Sequence, residues 1–185
     1  HTTVVEGDTA HLVVGDSGWQ LPIPVIKTSA GWQFDIKEGA EEILTREIGR
    51  NELAAIEALH AYVDAQQSYF AMNQKYAQKI VSSKGKKDGL YWPASPGEAP
   101  SPLGPAFSPK EPGTGYHGYR FRILPDNHGF AMVAWPVSYG QTGVMSFVIN
   151  QDDKVYQSDL GSDSEQKARA LAAYNPDKTW QPAAP

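Results

Sequence analysis

The sequence predicts an α+β protein in which a long helix packs on an antiparallel β-sheet and a small antiparallel β segment precedes the helix. Short stretches rich in β-branched and aromatic residues, separated by turn clusters, fill the first 35 positions and return after position 115. Between them lies an alanine-rich stretch whose apolar residues recur at three- and four-residue spacing, as in a helix buried on one side. A chain of 185 residues, 41% of them hydrophobic, can bury a substantial core in one domain, with or without a small appendage.

The first segment is predicted to hold three short antiparallel strands: Ala10–Val14, Trp19–Ile26 and Gly31–Phe34. Pro22 and Pro24 remove two backbone donors, so the middle strand is expected to lie at a sheet edge or to present its proline-bearing side to solvent. We expect Trp19 and Trp32 to anchor a small core in this segment.

Helix-start signals follow the last of these strands. Asp35 and Glu38 have the spacing of a capping box, and an apolar helical stripe begins after them. Gly49 is predicted to interrupt the helix, and Asn51 to restart it as an N-cap. The restarted helix is predicted to continue to about Met72.

The second half is predicted to contain a short helix, a long loop, a β-meander and a closing helix. The short helix covers Gln74–Val81, and the proline-rich stretch Ser82–Gly115 is a loop long enough to be functional or disordered. The predicted strands are Tyr116–Leu124, Phe130–Val137, Val144–Ile149 and Lys154–Gln157, with a hairpin turn at Asn150–Asp153. Ser164 is predicted to cap the helix Glu165–Tyr174.

Composition excludes several classes of function. The net charge is -5 and the basic residues are scattered, so no nucleic-acid partner is expected. The short cluster Lys84, Lys86 and Lys87 is interpreted as part of a solvated loop. The absence of cysteine excludes disulfides, thiolate zinc sites and a cysteine nucleophile. No stretch has the length of an integral membrane segment, and no metal or cofactor motif is found, so no cofactor is expected.

Six blocks of sequence, taken in order, carry a family resemblance: Gly49–Ile56 (GRNELAAI), Tyr62–Gln66 (YVDAQ), Lys87–Pro93 (KDGLYWP), Ser101–Pro105 (SPLGP), Tyr116–Tyr119 (YHGY), and Gly129–Pro136 (GFAMVAWP) with Gly143–Phe147 (GVMSF). With these blocks, the chain from about Trp19 to Trp180 resembles the bacterial domain of unknown function 2950 family. The resemblance implies an exported protein, made with a signal peptide, in the periplasm or another extracytoplasmic setting. That family has no established activity, so it supplies no catalytic residue.

Two departures from the family pattern bear on the extent of the chain. Family members carry a signal peptide and a further segment before the position of His1, so we expect this chain to be a processed or trimmed piece. Members also tend to have a longer glycine-rich insertion where only Pro125–His128 stands here. A loop is therefore expected to be missing between Leu124 and Gly129.

A looser resemblance concerns the architecture. The alanine-rich helix, the variable loop and the following strands look like the globular part of type IV pilins. This resemblance implies a helix laid across a β-meander in a pilin-like domain covering residues 36–185. Residues 1–35 would then be the remnant of a separate small α+β module.

The candidate binding residues are aromatic side chains around the long loop, together with one histidine. The proposed contacts are Tyr91, Trp92, Tyr116, His117 and Tyr119, and Phe107 and Trp135 belong to the same aromatic set. Exposed aromatic rings at such a loop can stack on a sugar or a peptide. The alternative interpretation is that these rings pin the loop to the core, with His117 as a hydrogen-bonding residue.

The sequence favours a non-catalytic envelope protein that recognises a protein or glycan partner through residues 82–119. The alternative is a periplasmic hydrolase acting on cell-wall or peptide substrates, in which His117 works with Asp88 or Glu98. A third possibility is assembly through sheet edges or the long helix.

Two further arrangements have simpler interpretations. The pair His60 and Asp64 on the long helix is interpreted as a surface pair rather than a catalytic one. The stretch Asn150–Asp153 is interpreted as a turn rather than a calcium loop, because the glycine and terminal glutamate of that loop are missing.

Overall fold

The computed structural model describes residues 1–105, 115–125 and 129–183. The chain divides into two compact units, His1–Gly49 and Arg50–Pro185. One long helix and two antiparallel sheets make up most of the regular structure, which confirms the α+β class.

The first unit is built on a five-stranded antiparallel sheet. Its strands are β1 (Thr2–Glu6), β2 (Thr9–Val14), β3 (Trp19–Gln20), β4 (Val25–Thr28) and β5 (Gly31–Phe34). The order is β1-β2-β4-β5, and β3 also pairs with β2. The prediction of one edge strand over Trp19–Ile26 is wrong. Pro22 and Pro24 fall in the connection between β3 and β4, so β4 keeps its donors and lies between two strands.

This sheet has almost no buried core. Within residues 1–49, all of which are described, only Ala10, Pro24 and Gly39 are buried. Trp19 and Trp32 are 49% and 47% exposed, so the prediction that they anchor a core is wrong. Gly39, in the first turns of the following helix, is buried against Ile23. A Cβ at this position would lie only 2.9 Å from the Ile23 side chain.

The helix α1 runs without interruption from Ile36 to Asn73. The Asp35 carboxylate accepts a hydrogen bond from the Glu38 amide at 3.1 Å, which is one of the two bonds of the predicted capping box. The Asp35 amide donates to the carbonyl of Pro24 at 2.8 Å, so the reciprocal bond to Glu38 is replaced. The predicted break at Gly49 and restart at Asn51 are wrong. A single glycine costs a helix only about 1 kcal/mol relative to alanine, too little to end it when both flanks are helical.

Residues 74–81, which follow α1 directly, are not helical, contrary to the prediction for Gln74–Val81. Gln74 has a φ of 54°, the left-handed conformation that ends many helices. The chain then turns back, and the amide of Ala77 donates to the buried side chain of Gln66 at 2.9 Å. This tertiary bond replaces the helical bond that the sequence pattern suggested.

The second unit contains an antiparallel meander. Its strands are β6 (Tyr119–Leu124), β7 (Ala131–Pro136), β8 (Met145–Asn150), β9 (Tyr156–Asp159) and the short β10 (Gln181–Pro182), in the order β10-β9-β8-β7-β6. Every residue of β7 is buried, because both faces of the sheet are covered. One face belongs to a core cluster with Leu59, Tyr62 and Val63 of α1, and the other to a cluster with Ala168.

Ala168 belongs to the closing helix α2 (Ser164–Ala170), which is shorter than predicted. The side chain of Arg122 on β6 lies at the C-terminal end of α2. Its Nη2 donates to the carbonyl oxygens of Ala168 and Leu171, each at 2.8 Å, and so satisfies acceptors at the end of the helix. Leu171 already has an extended backbone, with a ψ of 113°.

Candidate functional site

The described part of the long loop is held in one conformation by Asp88. Its carboxylate accepts hydrogen bonds from the Lys79 ammonium at 2.8 Å, from the Ser83 amide at 2.7 Å and from the Ser83 hydroxyl at 3.0 Å. The Lys79 ammonium and the Ser83 amide hold the pKa of the Asp88 carboxyl well below its usual range. Asp88 is therefore ionised at neutral pH and acts as a structural anchor.

Backbone pairing and two buried leucines complete the anchoring. The amide of Ser82 donates to the carbonyl of Tyr91, and the amide of Tyr91 donates to Ile80, both at 2.8 Å. Leu90 and Leu103 are buried, and the amide of Leu103 donates to the carbonyl of Leu90 at 2.9 Å. A segment without regular secondary structure is thus fixed to the core at both ends of its described part.

Lysines dominate the surface of this segment. Five lysines and two carboxylates lie between residues 75 and 103, in a chain whose net charge is -5. Lys84 and Lys86 are exposed. The Lys87 ammonium lies 5.5 Å above the ring of Trp92 and 3.8 Å from Glu98. The anchored loop therefore presents a local positive surface, which the composition of the whole chain does not indicate.

His117 lies in a tight turn and not in a strand, so the prediction that β6 begins at Tyr116 is wrong. Tyr116 and Tyr119 exchange backbone hydrogen bonds of 2.8 and 2.9 Å across the turn. His117 and Gly118 both have positive φ, 46° and 70°, as a two-residue type I′ hairpin requires. The His117 side chain is exposed, and its ring lies edge-on to Tyr116 with centroids 4.4 Å apart.

Tyr119 belongs to the core. Its side chain is fully buried, and its hydroxyl donates to the carbonyl of Met145 at 2.8 Å. Burial, together with the neighbouring Glu52 carboxylate, raises the pKa of Tyr119 far above its usual range. Glu52 also accepts the amides of Val144 and Met145 at 2.9 and 3.0 Å, so it joins α1 to the loop before β8.

The structure therefore separates the predicted aromatic set by burial. Trp92 and Trp135 are buried like Tyr119, whereas Tyr91 and Tyr116 are half-buried. Phe107 lies outside the described residues. The burial of three rings is what the alternative interpretation expects. A binding role for Tyr91, Trp92, Tyr116, His117 and Tyr119 stays a prediction.

The histidine on α1 has a partner that sequence spacing did not suggest. His60 Nδ1 lies 2.7 Å from Asp153 Oδ1 rather than pairing with Asp64, and both side chains are about half exposed. Asp153 has a φ of 56°, and its amide donates to the carbonyl of Asn150, which confirms the turn after β8.

Among the described residues, no group of three or more His, Asp or Glu side chains is placed to hold a metal ion.

Replacing Asp88 by alanine is expected to loosen the loop segment at neutral pH. Because folding lowers the pKa of Asp88, its stabilising effect is fully present above the ordinary aspartate pKa of about 3.9. It is lost as the pH falls through the lower pKa of the folded state. Hydrogen exchange at the Ser83 and Leu90 amides should be slow in the wild type and fast in Asp88→Ala. Asp64→Ala, at an exposed carboxylate on α1, should leave both rates unchanged, and equal rates in all three proteins would contradict the assignment.

Comparison with known families gives one result. The family described as "Protein of unknown function (DUF2950)" matches residues 1–128 and 125–183 of the chain. The two matches meet at residues 125–128, the junction at which the resemblance predicts a longer insertion. No curated protein and no solved structure matches the chain. Across the described ranges, no helix combines the length and apolar character needed to span a bilayer.

Proposed function

The chain belongs to the DUF2950 family of proteins of unknown function, and we propose that it is a non-catalytic binding module of the bacterial envelope. Its partner is an acidic protein or glycan, and the contact surface is the anchored loop around Lys84 and Lys86. The setting is periplasmic or otherwise extracytoplasmic, an assignment supported by the family resemblance and compatible with a cysteine-free chain. A pilin-like arrangement, with α1 across the meander, is part of the same proposal.

The observation that carries this proposal is the anchoring of an irregular, lysine-rich segment. Loops that bind ligands are commonly held by a rigid scaffold, because ordering a mobile loop on binding reduces affinity. Here Asp88, Leu90 and Leu103 hold the segment, and Lys84 and Lys86 remain exposed. Exposed ammonium groups on a fixed backbone favour an anionic partner.

The hydrolase alternative has less support from the site. The Asp88 carboxylate already accepts hydrogen bonds from Lys79 and Ser83. The Glu98 carboxylate accepts the Ser95 amide at 3.1 Å and lies near Lys87. His117 stands on a turn with its side chain exposed. A general base needs a positioned partner and a site that excludes water, and these contacts supply neither to His117.

Charge reversal of the two exposed lysines tests the proposed surface. Lys84→Glu/Lys86→Glu should weaken binding at least tenfold, because two attractive charges become repulsive. Cosedimentation with purified peptidoglycan measures binding to a glycan. Capture from periplasmic extract, followed by titration with the purified partner, measures binding to a protein. Lys154→Glu/Lys178→Glu, with the same charge change at two other exposed lysines, should bind like the wild type.

Three outcomes separate the hypotheses. Equal binding by the two charge-reversed proteins would show that the lysine surface, the anchored loop around Lys84 and Lys86, is not the contact. If the wild type and the control variant bind neither peptidoglycan nor a periplasmic protein, the proposed function is wrong. Release of soluble fragments from peptidoglycan by the wild type, abolished by His117→Ala, would establish the hydrolase instead.

A further inference from the structure

The sheet of the first unit has two faces of different composition. Residues directly opposite one another in antiparallel strands share a face, and alternate residues along a strand return to it. The pairs Val5 with Ala10, Val14 with Trp19 and Val25 with Phe34 therefore lie on the same side. The full set on this side, here called the apolar face, is Val5, Ala10, Leu12, Val14, Trp19, Val25, Trp32 and Phe34, together with Thr3 and Lys27.

The apolar face is largely uncovered. Five of its large side chains are exposed: Val5 57%, Val14 41%, Trp19 49%, Trp32 47% and Phe34 57%. The opposite side carries mainly polar residues, including Thr9, His11, Gln20, Thr28 and Gln33. A one-sided sheet of this kind normally packs its apolar side against another layer.

The uncovered area is large for a surface that stays in water. Because aromatic side chains present about 150–250 Å² each, the five exposed fractions leave roughly 500 Å² of apolar surface. That value lies near the top of the range of about 300–600 Å² for the largest patch on a monomer, and such patches are often interaction sites.

We propose that the apolar face is covered by the same face of a second copy of the chain, so that the two sheets pack into a two-fold symmetric sandwich. An exposed apolar area of roughly 500 Å² per copy would bury about 1,000 Å² in a symmetric pair, the size at which specific interfaces begin. The face is rich in aromatic residues and poor in charge, as interface centres are. A two-fold axis brings identical patches together, so no other molecule is needed.

Two cationic side chains accompany the apolar face, and a sandwich can accommodate both. Lys27 lies near the end of β4, where its amide bonds to the carbonyl of Asp8 in the β1–β2 turn. Its long side chain can keep the ammonium hydrated at the rim when the centre is covered. The Arg46 guanidinium of α1 lies 6.0 Å over the Trp19 ring and still leaves that ring half exposed. The proposal concerns the first unit alone and does not depend on the lysine surface of the second.

Sedimentation velocity of the full chain from about 1 to 100 μM tests the proposal, since a micromolar Kd gives a visible shift over that range. The wild type should pass from monomer to dimer. Trp32→Ser/Phe34→Ser should weaken association at least tenfold. Leu53→Ser/Met72→Ser, which removes two side chains of similar exposure from α1, should dimerise like the wild type.

A second measurement identifies which face of the sheet forms the dimer interface. The chain has no cysteine, so Lys27→Cys gives a single site for a nitroxide label. Dipolar coupling between copies should appear in this protein and vanish when Trp32→Ser/Phe34→Ser is added. If that pair unfolds the sheet by circular dichroism, Val5→Lys at the other edge takes its place. A monomeric wild type at about 100 μM, a concentration well above a micromolar Kd, or a dimer that survives both face variants, would overturn the proposal.

Discussion

Gly143→Ala is expected to destabilise the second unit by about 3 kcal/mol, the upper part of the range for overpacking a closed core. A Cβ at position 143 would lie 2.5 Å from Cζ of Tyr119 and 2.7 Å from its Cε2, and would meet the hydroxyl as well. The tyrosine cannot move away freely, because its side chain is fully buried and its hydroxyl is bonded to Met145. Urea unfolding followed by circular dichroism measures the loss.

A glycine in open space provides the matched control. Gly49 lies inside α1, and a Cβ there would have no heavy atom within 4 Å beyond its chain neighbours and the adjoining helix backbone. Gly49→Ala should therefore stabilise the helix by about 0.5–1 kcal/mol. Adding Tyr119→Leu to Gly143→Ala removes the ring that the methyl meets, so the two losses should be less than additive. Strict additivity, or a Gly143→Ala protein as stable as the wild type, would rule out the steric argument.

The helix and the meander could be predicted because their signals are local. The alanine-rich, one-sided pattern gives α1 its length, and the turn residues Asn150 to Asp153 place the hairpin between β8 and β9. The break expected at Gly49 is wrong, because the free-energy cost of one glycine is small beside the stabilisation from packing a 38-residue helix.

The failure at the N-terminal tryptophans has a different cause. Trp19 and Trp32 are large and apolar, so a core role follows from residue type alone. Whether a core exists depends on what covers the sheet, and strand periodicity describes only one layer. The alternation in β2 and β5 is that of a sheet with one apolar face, and the structure leaves that face uncovered.

A binding site within residues 82–119 stays a prediction, and the way this segment is held could not be predicted from the sequence. The proline-rich stretch drew attention to residues 82–119, and the described part is an anchored loop. The aromatic residues stood out because of their size, yet Trp92 and Tyr119 are buried. The short cluster Lys84, Lys86 and Lys87 is typical of a solvated loop, so the sequence alone gives it no binding role. Asp88 holds the loop that carries these lysines, through contacts with Lys79 and Ser83 that only the tertiary structure reveals.

Gln66→Leu is expected to destabilise the second unit by roughly 2–5 kcal/mol, because it leaves two backbone groups buried without partners. The Gln66 side chain is fully buried. Its Nε2 donates to the carbonyl of Ala77 at 2.9 Å and to the hydroxyl of Tyr62 at 3.0 Å, and its Oε1 accepts the amide of Ala77 at 2.9 Å. Leucine fills a similar volume but offers neither a donor nor an acceptor.

The effect of Gln66→Leu should extend beyond global stability, because the bond to Ala77 fixes the chain where it leaves α1. Lys79 and Ile80 follow directly and pair with Leu90 and Tyr91, so losing the Ala77 contact should also loosen the lysine segment. Hydrogen exchange at Ala77 and Tyr91 should therefore rise together, and binding by the lysine surface should weaken with them. Gln67→Leu, one residue on and exposed, should leave stability, exchange and binding unchanged. If Gln66→Leu and Gln67→Leu unfolded at the same urea concentration, Gln66 would not be the link between the helix and the loop.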